Sequence, residues 1–236
     1  MTIEINQLKF AYIRGRRASE TAPVILDIER LQLASGERVF LHGPSGSGKT
    51  TLLGLLGGVL AAPGPGQIQV LGQDLAAMSG PRRDAFRGSH LGYIFQMFNL
   101  IPYLNVEENI VLPCRLNPER RARLNGRGLK DAARELADHL GIAEYLEQPV
   151  TRLSVGQQQR VAAARALIGS PEIIIADEPT SALDADRREK FIELLFRNCE
   201  ESKATVLFVS HDRALLPLFD RGVSLPEINR ATEVVA

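Results

Sequence analysis

Apolar and polar positions alternate at the start of the chain. Ile3, Ile5, Leu8 and Phe10 are separated by polar residues, and Val24, Ile28, Leu31 and Leu33 repeat the pattern. A period near two predicts strands with one exposed face over residues 2–10 and 24–33. The polar stretch Arg14-Gly15-Arg16-Arg17-Ala18-Ser19-Glu20 between them predicts a solvated loop. A short apolar strand at 37–42, with Val39, Phe40 and Leu41, leads into a glycine-rich loop and an apolar helix from Lys49. Gly64-Pro65-Gly66 predicts a turn, Ile68-Gln69-Val70-Leu71 a strand, and Leu91 to Phe95 another that ends at Gln96.

The period then lengthens. Residues 105–148 read as mostly helical, with Leu129, Ala132, Ala133, Leu136, Ala137 and Leu140 marking one helix face. Ser154 is suited to cap a helix running to about Ile168. Ile173-Ile174-Ile175-Ala176 and Thr205-Val206-Leu207-Phe208-Val209 are continuous apolar runs, as strands buried on both faces require, with a charged helix near 186–202 between them. After His211 the chain has room for about one short helix and a tail, and Leu225 to Arg230 carries no readable signal. The pattern predicts an α/β chain: a small antiparallel section, a parallel core and a helical insertion at roughly 97–158.

Composition acts by exclusion. The 236 residues suit one α/β domain with a substantial core, and 44% hydrophobic with 24% charged residues argues against global disorder. Lys+Arg and Asp+Glu are both 28, so the surplus of basic charge typical of a nucleic-acid binder is missing, and no nucleic-acid partner is expected. Cys114 and Cys199 lie far apart and outside any CxxC pair, which predicts two buried or idle thiols in a reducing compartment. The N-terminus lacks the basic and apolar regions of a secretory signal, and no run approaches the roughly 18 apolar residues of a membrane helix. A role at a membrane is therefore expected to come through a partner, without direct insertion.

The chemistry begins at Gly43-Pro44-Ser45-Gly46-Ser47-Gly48-Lys49-Thr50, which fits G-x-x-x-x-G-K-[ST] between a predicted strand and a predicted helix. Glycines let successive N–H groups wrap a phosphate chain, and the helix N-terminus adds partial positive charge. Lys49 is expected to reach the β- and γ-phosphates and Thr50 to ligate Mg²⁺, with Thr51 beside them. Asp177 ends a buried strand, where a carboxylate can hold Mg²⁺ directly or through water, and Glu178 can polarise the attacking water. At this point any P-loop nucleotide hydrolase, kinase or GTPase remains open.

Leu153-Ser154-Val155-Gly156-Gln157-Gln158-Gln159-Arg160 resembles the LSGGQ-like signature of the ABC ATPase family. The resemblance implies a P-loop NTPase (RecA-like) core with an antiparallel β subdomain and a helical ABC-specific subdomain, here 1–96 and 159–236 against 97–158. It implies a homodimer in which two ATPs are sandwiched, so that Ser154, Gly156 and Gln157 of one subunit face the γ-phosphate held by the other. Val155 stands where the family usually has glycine; Ser154 and Gly156 are kept, and the site is expected to be competent. By the same resemblance, Tyr12 stacks on adenine and Gln96 senses Mg²⁺ and the attacking water. Ser181-Ala182-Leu183-Asp184 crosses the dimer interface, and His211 contacts the γ-phosphate.

The stretch from Leu91 through Phe98-Asn99-Leu100-Ile101-Pro102 to Leu112-Pro113 looks like the MacB/LolD-like subfamily of macrolide export and lipoprotein release. That resemblance implies an FtsX-type membrane permease as partner and a place on the cytoplasmic face of the membrane. Phe98, Leu100, Ile101 and Tyr103 are candidates for the permease contact or for packing. The alternative is a soluble ABC ATPase in a scaffold, such as cell-division control or iron–sulfur assembly. The basic residues Arg115, Arg120, Arg121, Arg123, Arg127 and Lys130 predict a solvated face.

Overall fold

The computed structural model describes residues 1–12, 23–181, 183–200 and 202–231; the loop reading at 14–20 and Ala182 fall outside them. Two sheets carry the architecture. The first is antiparallel, in the order β2 (Val24–Leu33), β1 (Ile3–Ala11), β4 (Ile68–Val70), β5 (Gln73–Asp74). The alternation in β1 has its expected cause, since Ile3, Ile5, Leu8 and Phe10 all point into a core. The second sheet is parallel, in the order β6 (Leu91–Ile94), β7 (Ile173–Asp177), β8 (Thr205–Val209), β3 (Arg38–His42), β9 (Arg221–Ser224).

The parallel sheet separates two apolar cores. Along β7, Ile173 and Ile175 face the core shared with the antiparallel sheet, while Ile174 and Ala176 face the helical side. In β8, Leu207 and Val209 alternate in the same way with Val206 and Phe208; in β3, Val39 and Leu41 alternate with Phe40. The first core takes in α1 (Lys49–Leu56). The second is built on α3 (Val106–Leu116), α5 (Leu129–His139), α6 (Val155–Leu167) and α7 (Ala185–Glu200). The polar helix α2 (Gly80–His90) and the short helices α4 (Pro118–Ala122) and α8 (Leu225–Ile228) are the remaining α-helices among the described residues. A reciprocal cap starts α3: Glu108 N–H donates to Asn105 Oδ1 at 2.8 Å and Asn105 N–H to Glu108 Oε2 at 3.0 Å. Where α6 crosses β6, a Cβ on Gly92 would stand 2.2 Å from the Ala166 carbonyl oxygen, so the crossing admits only glycine.

Two regions depart from the sequence pattern, α2 and the chain after His211. Helix α2 was not signalled, because its sequence is polar and only Ser89 is buried. The tail after His211 holds more than one short helix: a 3₁₀ segment at Arg213–Leu218, the added strand β9 and α8. Strand β9 buries only Val223, too little alternation to read.

The basic face is also not simply solvated. Arg120 is 2% exposed, and its guanidinium donates to the carbonyls of Ile168 and Leu91, both at 2.8 Å, and of Ala166. It thereby satisfies the free carbonyls at the end of α6 and ties α4 to β6. Burial lowers its pKa to about 10. Arg123 pairs with Glu172 at 2.8 Å, and Arg127 pairs with Glu135. Replacing Arg120 by alanine leaves three buried carbonyls without a donor. At about 1–3 kcal/mol for each unsatisfied group, the expected loss is at least about 3 kcal/mol. Urea unfolding measures it, and a loss below about 1 kcal/mol would contradict the latch.

Candidate nucleotide site

Four neighbouring parallel strands, β6, β7, β8 and β3, present the residues that follow their C-terminal ends to one crevice. Gln96 follows β6, Asp177 ends β7 with Glu178 next, His211 follows β8, and the phosphate loop follows β3. Such a crevice is where parallel sheets bind ligands. Here it is a cavity of about 730 Å³, and its walls include Gly43, Pro44, Ser45, Gly46, Gly48, Lys49, Thr50 and Thr51 together with Tyr12, Gln96, Asp177, Glu178 and His211.

The loop needs its glycines at two points. Gly46 has φ 81° and Gly48 φ 99°, and a Cβ on Gly48 would meet Leu26 Cδ2 at 2.8 Å. Gly48 is the N-cap of α1, whose first turn carries no acidic residue, so its free N–H groups are open to an anion. The Lys49 ammonium lies back across the loop, donating to the carbonyls of Gly43 at 2.8 Å and Pro44 at 2.9 Å. Ser47 Oγ is buried without a hydrogen-bond partner among the described residues. An orphaned hydroxyl, open N–H groups and an ammonium fit a polyphosphate. Tyr12 also lines the cavity, its hydroxyl 3.1 Å from Thr51 Oγ1 and its ring edge-on to Phe10.

The acidic pair is asymmetric. Burial and the neighbouring Glu178 push the Asp177 carboxyl above its usual value, while Lys49 offsets part of the rise. Glu178 adopts φ 45°, a conformation costly for a residue with a side chain, and its N–H is held by the Val209 carbonyl at 2.9 Å. Its Oε2 lies 3.1 Å from His211 Nδ1. The strained backbone aims the carboxylate into the crevice beside the histidine.

Comparison with known proteins settles the lineage of this site. The family described as ABC transporter matches residues 26–181. The chain belongs to that family. It is an ATP-binding, ATP-hydrolysing cassette with the family's α/β fold. The lipoprotein-releasing system ATP-binding protein LolD of Syntrophotalea carbinolica is 37% identical over 95% of each chain. The macrolide export ATP-binding/permease protein MacB of Syntrophobacter fumaroxidans is 38% identical over 89% of the cassette, which spans 28% of that longer protein. Among solved structures, the ATP-binding cassette MJ0796, in a dimeric post-hydrolysis state bound to ADP and Pi, superposes with a TM-score of 0.79 at 31% identity. The match covers 94% of the cassette and 93% of that chain.

The cassette does not bring every expected residue together. Ser154, Gly156, Gln157 and Asp184 stand outside the cavity. Ser154 caps α6, accepting from Gln157 N–H at 3.4 Å, while Gln157 Oε1 accepts from Ser154 N–H at 2.8 Å. Val155 beside them is 48% exposed. Asp184 pairs with Arg187 at 3.2 Å. Of the candidates for a partner contact, Phe98 is buried in the helical core, Leu100 and Ile101 are partly buried, and Tyr103 is 84% exposed; Met97, 81% exposed, joins it.

Two residues of the cassette that the sequence reading did not single out link α6 to the crevice. Gln159, 1% exposed, donates to the Pro179 carbonyl at 2.9 Å, one residue past Glu178. Arg165 donates to the carbonyls of Phe98 and Asn99, two successive residues with left-handed φ of 56° and 48° just after Gln96. Gln159 sits in a run of three glutamines and Arg165 among alanines, so neither stands out locally.

Proposed function

We propose that the cassette is the motor of an FtsX-type permease, working as a homodimer on the cytoplasmic face of the membrane. The observation that carries this reading is the pair of exposed apolar side chains, Met97 and Tyr103, flanking a turn clamped next to Gln96. A partner that grips this turn acts directly on the nucleotide crevice. Among the described residues no helix is long and apolar enough to cross a membrane.

In this reading the 43–48 loop and Lys49 hold the phosphates, Tyr12 carries the adenine, and Ser154, Gly156, Gln157 and Asp184 serve the crevice of a second copy. Thr50, Gln96 and Asp177 line the same crevice and would hold Mg²⁺, a cation favouring the charged form of the Asp177 carboxyl that burial opposes. When bound, such an ion would supply neutralisation of phosphate charge. Glu178 accepts a proton as water attacks the γ-phosphorus; the bond to the bridging oxygen breaks, and ADP and inorganic phosphate leave. His211 holds Glu178 in place and reaches the γ-phosphate. Residues 97–158 form the helical subdomain that moves against the rest, with α6 continuing past the boundary into the core.

A tagged cassette captured from detergent-solubilised native membranes is expected to carry an integral membrane permease in equal amount. Substituting Met97→Glu and Tyr103→Glu together should cut that capture by about tenfold or more while ATP affinity holds. Recovery of soluble partners alone would overturn the permease assignment in favour of a scaffold role.

A further inference from the structure

The C-terminal segment drew no interpretation from its sequence, yet it touches both ends of the phosphate loop. Strand β9 runs parallel to β3 with Ser224 opposite His42, so the chain leaves the sheet beside the residue that feeds the loop. The Pro226 ring then packs on Gly43, where a Cβ would come within 3.0 Å of Pro226 Cδ. Leu225 is fully buried and anchors the turn. Asn229 reaches the other end. Its amide donates to the Ile25 carbonyl at 3.0 Å and the Ser47 carbonyl at 3.5 Å, and its Oδ1 accepts from Asp27 N–H at 2.8 Å and Ala231 N–H at 3.2 Å. The partners fix the amide's orientation, since backbone N–H groups only donate and carbonyls only accept. The Arg230 N–H adds a bond to the Asp27 carbonyl at 2.8 Å.

The strand held in this way is part of the site. Ile25 lines the nucleotide cavity, and the side chain of Leu26 lies under Gly48. One side chain therefore joins the tail, the start of β2 and the loop that cradles phosphate. We infer that the segment Leu225–Arg230 is a brace for the phosphate loop and that Asn229 is a positioning residue for nucleotide. The inference rests on the nucleotide-site reading above. A loop that grips through backbone N–H groups binds well only if those groups are already aimed; otherwise binding must first order them. The brace supplies that order without touching the ligand. It acts on the part of the loop that meets phosphates common to ATP and ADP, and it leaves Gln96, Glu178 and His211 alone.

The test uses the full-length chain, with affinity for ATP and ADP measured by calorimetry and turnover measured over a range of ATP concentrations. Asn229→Ala should weaken both nucleotides by roughly five- to tenfold, the equivalent of about one hydrogen bond. KM for ATP should rise by the same factor while kcat at saturation holds. Arg230→Ala, which removes only the side-chain pair with Glu29, should leave affinity unchanged. Should Asn229→Ala fail to fold, Asn229→Asp keeps the acceptor for Asp27 and Ala231 but sets an acceptor against Ile25 and Ser47, and should weaken both nucleotides at least as much. A folded Asn229 variant with a lower melting temperature but wild-type nucleotide affinity would overturn the brace. Failure of the unsubstituted chain to bind ATP would instead overturn the site reading beneath it.

Discussion

Glu178→Gln is expected to lower ATP turnover by roughly 10²- to 10⁴-fold and to leave the cassette as a stable ATP-bound dimer. The amide is nearly isosteric with the carboxylate, so the φ 45° backbone and its bond to Val209 persist. What disappears is the capacity to take the proton from water. His211 Nδ1, 3.1 Å from the Glu178 carboxylate, would then meet the amide in its place. With hydrolysis stopped, the γ-phosphate stays in the crevice. If the signature residues of a second copy complete that crevice, ATP then bridges two subunits. Size-exclusion chromatography in ATP checks this together with a phosphate-release assay. A monomer alone, or turnover within tenfold of the unsubstituted chain, would sink the assignment of Glu178 and the shared site.

Lys49→Ala should abolish useful nucleotide binding. The ammonium now donates to the Gly43 and Pro44 carbonyls, and a bound phosphate would take these bonds in their place. Hydrogen bonds to charged groups contribute about 1.5–3 kcal/mol each, so losing two to phosphate weakens binding on the order of a hundredfold or more. The effect is compounded within the crevice. Lys49 is the cation that offsets the rise of the Asp177 carboxyl, and without it two acidic side chains face an incoming polyanion unopposed. Calorimetry with ATP measures the change, and an affinity equal to that of the unsubstituted chain would remove Lys49 from the site.

The parts of the site that were legible in the sequence are those whose chemistry is local. The 43–50 loop demands fixed residue types in a row between a strand and a helix, and the structure sets it between β3 and α1. Strands β7 and β8 announced themselves as unbroken apolar runs because both of their faces are buried. The elements that escaped owe their state to distant partners. Arg120 resembles its basic neighbours until α6 and β6 supply carbonyls around it. Phe98 reads equally as a contact or a packing residue until the helical core takes it in and Arg165 clamps its carbonyl. Gln159 and Asn229 bond to residues 20 and more than 180 positions away, a relation that no spacing along the chain records.

The alternation of β3, β7 and β8 between two cores has a thermodynamic consequence. Each of these strands is a shared wall: neighbouring residues belong to opposite interiors, so a strand displaced from one interior leaves the other as well. Heat therefore meets a single cooperative unit, and the two layers of the molecule melt together. Softness is left to the margins, where the polar helix α2 can yield while the wall that aims Asp177, Glu178 and His211 keeps its register.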